Sequence, residues 1–392
     1  MKHALRITSL SVFLIIVASC SNTSSHRFSK KINNAGVEVC TSSGGPKYAD
    51  PLYTLEETLS LGGEAPEPKL FQPFGVLVDD ERYLYFIDEQ RIKKFSPHGE
   101  FVSYIGRIGQ GPGEITNPRL AVILGDTLYA DQFQWSGSRK YELFKTDGTY
   151  IDRIVHPRLK VEPAPGQRKY TAGPLGPFSF LFYVETPLEP GFGGPAEWSY
   201  GIADRQGNVL TMLEVDIEPF TSWIRKENGG TVAPYTVGAE SYIFDSIYIL
   251  SGVGARIDQF TLNGELKRIL HLQFEREPVD DEDIAGVLKS LTRPGVPAIL
   301  DAGDFPEYKP VACSVIEDDQ GRLWVKKGAD YYSGRKGAAS YMIFSQAGEY
   351  LADQVFPCDV SVIKGGKAYG FTATQDDEII FKCFSLIGSG KE

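Results

Sequence analysis

The stretch Phe95-Ser96-Pro97-His98-Gly99-Glu100-Phe101 is one copy of a short pattern that recurs along the chain. Residues 144–148, 260–264, 344–348 and 384–388 repeat its Phe-to-Gly spacing, and residues 203–207 form a weaker copy with Ala in place of Phe. Because glycine adopts positive φ without steric cost, each copy predicts the end of a strand, a tight turn and the start of the next strand.

The spacing of the copies indicates the architecture. The six Gly positions are separated by 49, 59, 57, 84 and 40 residues, with about four strand-like runs in each interval. Units of this size are typical of a β-propeller. The last unit lacks a fourth strand, and the spare run at 53–61 can supply it, because a ring must pair its edges. We therefore predict an all-β, six-bladed β-propeller over residues 53–388.

Two regions depart from the regular pattern. The third unit is rich in Gly and Pro, and its strands are expected at 178–182, 183–185, 198–204 and 209–215. Between the fourth and fifth units, Ile284, Val287, Leu288 and Leu291 fall on one face of a helix, which Asp280 or Asp281 can cap. A helical insertion is therefore predicted near 278–292.

The N-terminus carries an export signal. A short basic start precedes an apolar segment, and Val17-Ala18-Ser19-Cys20 resembles the bacterial lipobox, in which the Cys becomes lipidated. This predicts a signal peptide over 1–19, a lipid on Cys20 and a flexible tether over 20–52. Ser21 after the Cys favours the outer membrane of the cell envelope, facing the periplasm or the cell surface. The alternative is an ordinary secretory signal in which Cys20 is incidental.

Composition limits the partners. The chain of 392 residues has 40 basic and 51 acidic side chains, a net charge of −11. Phosphate binding requires a basic surface, so a nucleic-acid partner is not expected. Among the cysteines other than Cys20, three disulfide pairings are open, and we favour Cys313 with Cys358 because both begin inner strands of neighbouring units.

The first two units resemble a known repeat. Phe71 to Asp79, the Tyr85-Phe86-Ile87-Asp88 run and Ile92 to Phe95 are similar to an NHL-type repeat. The Gly-rich segment 106–114 looks like the inter-blade linker of six-bladed propeller lipoproteins from envelope-rich bacteria. This resemblance implies a scaffold for binding, with no shared chemistry.

Catalytic residues are not apparent in the sequence. Segment 106–114 lacks the Gly-Lys-Ser/Thr ending of a phosphate loop, and no Gly-x-Ser-x-Gly motif occurs. Asp88 and Asp131 are interpreted as strand-end acids that accept backbone N–H bonds, with metal ligation as the alternative. We therefore predict no catalytic residues, no metal ligands and no cofactor.

Aromatic side chains near predicted loops suggest a recognition surface instead. The candidates for ligand binding are Trp135, Phe192, Trp198, Tyr331 and Tyr332, although such side chains also fill gaps between blades. The predicted function is a lipid-anchored binding or scaffold propeller that recognises a protein partner, or an envelope glycan or peptide, through loops on one face. The alternatives are a metal-assisted hydrolase or lyase acting in the channel, and a purely structural envelope subunit.

Overall fold

The computed structural model describes the chain from residue 26 to residue 390 with gaps. The described segments are 26–62, 70–116, 118–133, 139–155, 159–160, 167–188, 194–218, 220–225, 231–232, 239–251, 255–291, 302–331, 337–374 and 378–390.

The strands, numbered in chain order, form six blades. The strands before the first blade are β1 (Arg27–Ile32), β2 (Glu38–Ser43) and β3 (Tyr53–Leu61). Blade one consists of β4 (Pro73–Val78), β5 (Leu84–Asp88), β6 (Arg91–Phe95) and β7 (Phe101–Ile105), and the linker after it holds β8 (Arg107–Ile108) and β9 (Glu114–Ile115). Blade two consists of β10 (Pro118–Leu124), β11 (Thr127–Phe133), β12 (Arg139–Lys145) and β13 (Tyr150–Val155).

The remaining blades follow the same order. Blade three has β14 (Arg168–Pro174), β15 (Ser179–Pro187), β16 (Gly194–Asp204) and β17 (Val209–Met212), followed by β18 (Phe220–Arg225) and β19 (Thr231–Val232). Blade four has β20 (Ala239–Ile243), β21 (Ile247–Ser251), β22 (Arg256–Phe260) and β23 (Leu266–Gln273). Blade five has β24 (Ala312–Glu317), β25 (Leu323–Lys327), β26 (Ala339–Phe344) and β27 (Tyr350–Phe356), and blade six has β28 (Asp359–Lys364), β29 (Lys367–Ala373) and β30 (Ile379–Gly388).

The ring closes as predicted. β3 pairs antiparallel with β30, from Tyr53 opposite Gly388 to Leu61 opposite Phe381, and so becomes the outermost strand of blade six. This pairing joins the first and last parts of the propeller in one sheet. The six-bladed, all-β prediction is confirmed.

The repeated turn has one geometry in five of its copies. In the first, the Gly99 N–H donates to the carbonyl of Ser96 at 3.0 Å, and Gly99 has a φ of 84°. The copies ending at Gly148, Gly207, Gly264 and Gly348 have the same i+3 to i hydrogen bond and a φ between 83° and 94°. The sixth copy is not a turn, because residues 384–388 lie inside β30 and pair with β3.

The hydrophobic core is divided among the blade interfaces. Tyr85 and Phe144 lie between blades one and two, and Phe86 and Phe381 lie between blades one and six. The other interfaces contain similar clusters, centred on Tyr141 and Phe180, on Tyr200 and Ile249, on Leu250 and Phe344, and on Trp324 and Phe384. Each blade is therefore held by apolar contact with both of its neighbours.

The antiparallel strand order gives the ring two unlike faces. The turn face carries the tight connections between first and second strands and between third and fourth strands. The loop face carries the connections between second and third strands and those between successive blades, including the described residues 106–116 and 302–311. Each connection between successive blades therefore starts and ends at the loop face.

The helical insertion is confirmed at α1 (Asp281–Leu291), in the connection from blade four to blade five. Oδ1 of Asp280 accepts the backbone N–H groups of Glu282 and Asp283, both at 2.9 Å, which caps the helix. An ion pair of 2.8 Å between Lys309 and Asp283 holds the helix start to the chain that enters blade five. In the part of the chain that is described, no helix is long and apolar enough to cross a membrane.

Two further expectations about local structure are wrong. Residues 27–43 of the expected tether form a hairpin, in which β2 pairs parallel with β23 and extends blade four outward. In blade three, the innermost strand is Arg168–Pro174, and the runs predicted at 178–182 and 183–185 are one strand. In both places backbone pairing to a neighbouring strand outweighs a weak local pattern.

Candidate functional site

The innermost strands enclose a cavity on the axis of the ring. Its volume is about 640 Å³, and its lining comes from five of the blades. Apolar side chains such as Val122, Ile243 and Val315 form most of the wall, and the hydroxyls of Tyr141, Ser241, Tyr242, Ser314 and Ser361 lie among them. A cavity of this size and character suits a ligand or a ligand side chain.

One ion pair crosses the cavity wall between two blades. Nζ of Lys326 in blade five lies 2.8 Å from Oδ1 of Asp359 in blade six. The Tyr341 hydroxyl donates to the same carboxylate at 3.1 Å and accepts the Val360 N–H at 2.9 Å. Because the Lys326 side chain is mostly buried, this pair fixes the relative position of blades five and six.

The predicted disulfide is not formed. Cys313 and Cys358 are both free thiols. The Cys313 thiol donates to the Lys327 carbonyl at 3.5 Å inside blade five, whereas Cys358 packs in the core between blades five and six. Burial raises the pKa of each thiol to about 12, so both stay protonated and unreactive at neutral pH.

Strand-end polar groups at the loop face are structural. The carboxylate of Asp88 accepts the N–H groups of Phe71 at 3.0 Å and Gln72 at 2.8 Å, and it pairs with Lys93 at 2.7 Å. This confirms the interpretation of Asp88 as an acceptor for backbone groups. In blade two, the Gln132 side chain accepts the Thr116 N–H at 3.2 Å, and the same role for Asp131 stays a prediction. Asp131, the neighbour of Gln132, is fully buried.

The Gly-rich linker 106–114 also has a structural role. Its strand β8 pairs parallel with β9, and the Glu114 carboxylate accepts the Gly111 N–H at 2.8 Å. Arg153 of blade two donates to the Gln110 carbonyl at 3.0 Å. The linker is thus closed on itself and bonded to the next blade, as expected of a connection between blades.

Of the predicted aromatic residues, Trp198 is the one whose side chain is described. It stacks on Tyr183 with ring centroids 5.0 Å apart, and Tyr183 stacks on Tyr170 at 4.9 Å. Trp198 packs against the core between blades three and four, so it fills the gap between these blades. Trp135, Phe192 and Tyr332, and the side chain of Tyr331, lie outside the described residues.

Apart from Cys313, which was expected in a disulfide, the residues that line the cavity were missed by sequence reasoning. Ser361, Tyr242 and Lys326 lie on short strands of ordinary composition, and no motif distinguishes them. The pairing of their strands around the ring brings them together. Among the described residues, no group of three His, Cys, Asp or Glu side chains is arranged to hold a metal ion.

Comparison with known proteins identifies the fold. No protein-family model matches the chain, and no curated protein sequence matches it. A solved structure of a Bacteroides fragilis protein thought to be exported is similar with a TM-score of 0.50 at 12% identity, covering 89% of this chain and 99% of that one. A member of the DUF4221 family from Bacteroides vulgatus has a TM-score of 0.49 at 12% identity, covering 86% of this chain and 99% of that one. At 12% identity, the similarity to the Bacteroides fragilis structure shows a shared fold and nothing about function.

Proposed function

We propose that this protein is an extracytoplasmic, lipid-anchored propeller that binds its ligand through loops on one face of the ring and in the axial cavity. The ligand is a protein partner, or an envelope glycan or peptide, and it is bound without bond chemistry. The observation that carries this proposal is the cavity of about 640 Å³, with its mostly apolar wall and scattered hydroxyl groups. Sugars and peptides present this mixture of apolar faces and hydrogen-bonding groups.

The electrostatics of the wall favour binding over catalysis. Burial raises the pKa of the Tyr242 hydroxyl, which therefore stays neutral and donates to the Cys313 carbonyl at 3.2 Å. Lys326 and Asp359 neutralise each other at 2.8 Å. A general acid or base needs a group that changes its protonation near neutral pH, and the Cys313 thiol, with a pKa of about 12, does not.

The location in the envelope rests on the N-terminal pattern. The basic start, the short apolar segment and the small residues before Cys20 are typical of a lipoprotein signal. We propose the outer membrane, facing the periplasm or the cell surface, as the location. Metabolic labelling with a radioactive fatty acid tests the anchor, and uptake of label by a Cys20→Ala protein would contradict it.

A blocked cavity tests the binding site. Ser361 lies exposed to the cavity on the innermost strand of blade six, and Ser60 lies exposed on the outermost strand of the same blade. Tryptophan at position 361 narrows the cavity, whereas tryptophan at position 60 adds the same bulk outside it. Binding of soluble peptidoglycan fragments is measured by calorimetry. Binding of a protein partner is measured by photo-cross-linking in cell envelopes.

The two variants should differ. We expect Ser361→Trp to weaken binding at least tenfold and Ser60→Trp to leave it unchanged, with both proteins melting at the temperature of the parent. Equal binding by the two variants, or neither binding nor cross-linking by the parent protein, would overturn the proposed site.

A further inference from the structure

The chain contacts the ring within a few residues of Cys20, the proposed lipidation site. Hairpin β1–β2 joins blade four through the parallel pairing of β2 with β23, with Cys40 opposite Leu270. Just before β1, the His26 ring lies 3.1 Å from the Gly45 carbonyl and 3.4 Å from the Glu349 carboxylate of blade five. The chain therefore meets the ring on its outer wall, where blades four and five adjoin.

The length of chain between Cys20 and this wall is short. Six peptide steps separate Cys20 from His26. At about 3.5 Å each, they span at most about 21 Å, whatever their conformation. A lipid on Cys20 would therefore hold this wall close to the bilayer, and the opposite wall of the ring, at blade one, would face away from it.

The wall nearest the anchor is basic. Arg27, Lys30 and Lys31 are exposed on β1, which is the edge strand of the sheet. The acid facing them is Glu38, which is bonded to Lys30 at 2.6 Å and to Arg268 at 2.9 Å. The nearby Glu349 is bonded to Lys47 at 3.0 Å. This excess of positive charge occurs in a chain whose net charge is −11.

We propose that the β1 edge docks on anionic phospholipid headgroups of the bilayer that holds the lipid anchor. This inference rests on the lipidation of Cys20 in the proposed function. Basic side chains near an anionic surface are attracted to it, and the short connection to the lipid keeps them within reach. Ile32, which is 66% exposed at the end of β1, supplies an apolar contact with the interface. In the docked state, the axis of the ring lies parallel to the bilayer, and the loop face is accessible to soluble partners.

The same charges have a simpler explanation, and the experiment must distinguish it from docking. Charged side chains on an exposed edge strand prevent edge-to-edge pairing between molecules. That role predicts aggregation when the charges are removed. Docking predicts a change in the distance between the hairpin and the bilayer.

The experiment uses the full-length lipoprotein in vesicles of phosphatidylcholine alone or mixed with phosphatidylglycerol. A donor fluorophore is placed on Asn34→Cys in the hairpin turn or on His98→Cys in blade one, both at exposed positions, and the acceptor is carried on lipid headgroups. The test variant is Arg27→Gln/Lys30→Gln/Lys31→Gln. The control, Arg107→Gln/Lys145→Gln/Lys160→Gln, removes three exposed positive charges elsewhere.

With phosphatidylglycerol present, we expect stronger energy transfer from position 34 than from position 98. The test variant should reduce the ratio of docked to undocked protein about a hundredfold, and raised salt should have a similar effect. The control variant should leave this ratio and its dependence on salt unchanged. Equal transfer from the two positions, equal effects of the two triple variants, or aggregation of the test variant without loss of transfer would overturn docking. The intact mass of the purified protein reports lipidation separately, so a failed anchor is distinguished from a failed dock.

Discussion

Replacing Asp318 with Ala should destabilise the ring strongly. Its carboxylate lies at the first turn of blade five and accepts the backbone N–H of Arg322 at 2.9 Å, the Arg322 Nε–H at 2.8 Å and the Trp324 indole N–H at 2.9 Å. Arg322 in turn donates to the Tyr53 hydroxyl on β3, and the Tyr53 ring stacks on Trp324 at 5.7 Å. Asp318 therefore supports the contact between blade five and the strand that closes the ring.

The magnitude follows from what the substitution leaves behind. Trp324 is fully buried and Arg322 is 9% exposed, so the indole N–H and the guanidinium lose an acceptor that water replaces poorly. An unsatisfied buried donor costs about 1–3 kcal/mol, and breaking a buried ion pair costs about 3–5 kcal/mol. We expect Asp318→Ala to lower the free energy of unfolding by about 4 kcal/mol, which lowers Tm by about 5 °C in a propeller of this size.

The assay is urea unfolding followed by tryptophan fluorescence, with calorimetry for Tm. Asp319→Ala is the matched control, because Asp319 is exposed and its carboxylate accepts the Gly365 N–H at 2.9 Å. Asp319→Ala should lower the free energy of unfolding by less than about 1 kcal/mol. A loss for Asp318→Ala that is no larger than that of Asp319→Ala would refute the reasoning.

Two further predictions concern packing and pH. At Gly370 an added Cβ would lie 2.3 Å from the Asp359 carbonyl oxygen, whereas at Gly75 it would meet nothing within 4 Å. Urea unfolding should therefore show a loss of about 2–4 kcal/mol for Gly370→Ala and under about 1 kcal/mol for Gly75→Ala, and equal losses would contradict the close approach of the two strands at Gly370. Burial raises the pKa of Asp258 to about 6, so the folded state binds a proton between pH 4 and 6 that the unfolded state has released, and stability falls as pH rises through this window. Relative to the parent, Asp258→Asn should remove about 3 kcal/mol of that fall, and parallel stability curves for the two proteins from pH 4 to 7 would show the prediction to be wrong.

The parts of the fold that sequence reasoning predicted are those with local chemical causes. The turn at Gly99 and its copies need a residue that accepts positive φ, and the helix start at Asp280 needs a side-chain acceptor. Both requirements are visible in a few consecutive residues. The pairing of β3 with β30 also followed, because an unpaired edge is costly and one spare strand was available.

The errors occurred where backbone pairing, and not the side-chain pattern, decides that a strand forms. The hairpin at 27–43 looks polar and irregular, but β2 obtains its backbone hydrogen bonds from β23, far along the chain. The strand Arg168–Pro174 likewise pairs with Ser179–Pro187 despite its Gly and Pro. Backbone pairing does not depend strongly on side-chain identity, so composition alone did not indicate these strands.

The sequence by itself determined the number of blades, the strand that closes the ring and the helical insertion. Turns and helix caps depend on a few consecutive residues, and the pairing of the edges of the ring depends on the number of strands. Tertiary structure alone decided that Ser361, Tyr242 and Lys326 share one cavity, that Cys313 and Cys358 stay apart and that Trp198 packs between blades. These positions depend on how the blades stand around a common axis. That arrangement places residues from distant parts of the chain side by side, and no local pattern specifies which of them meet.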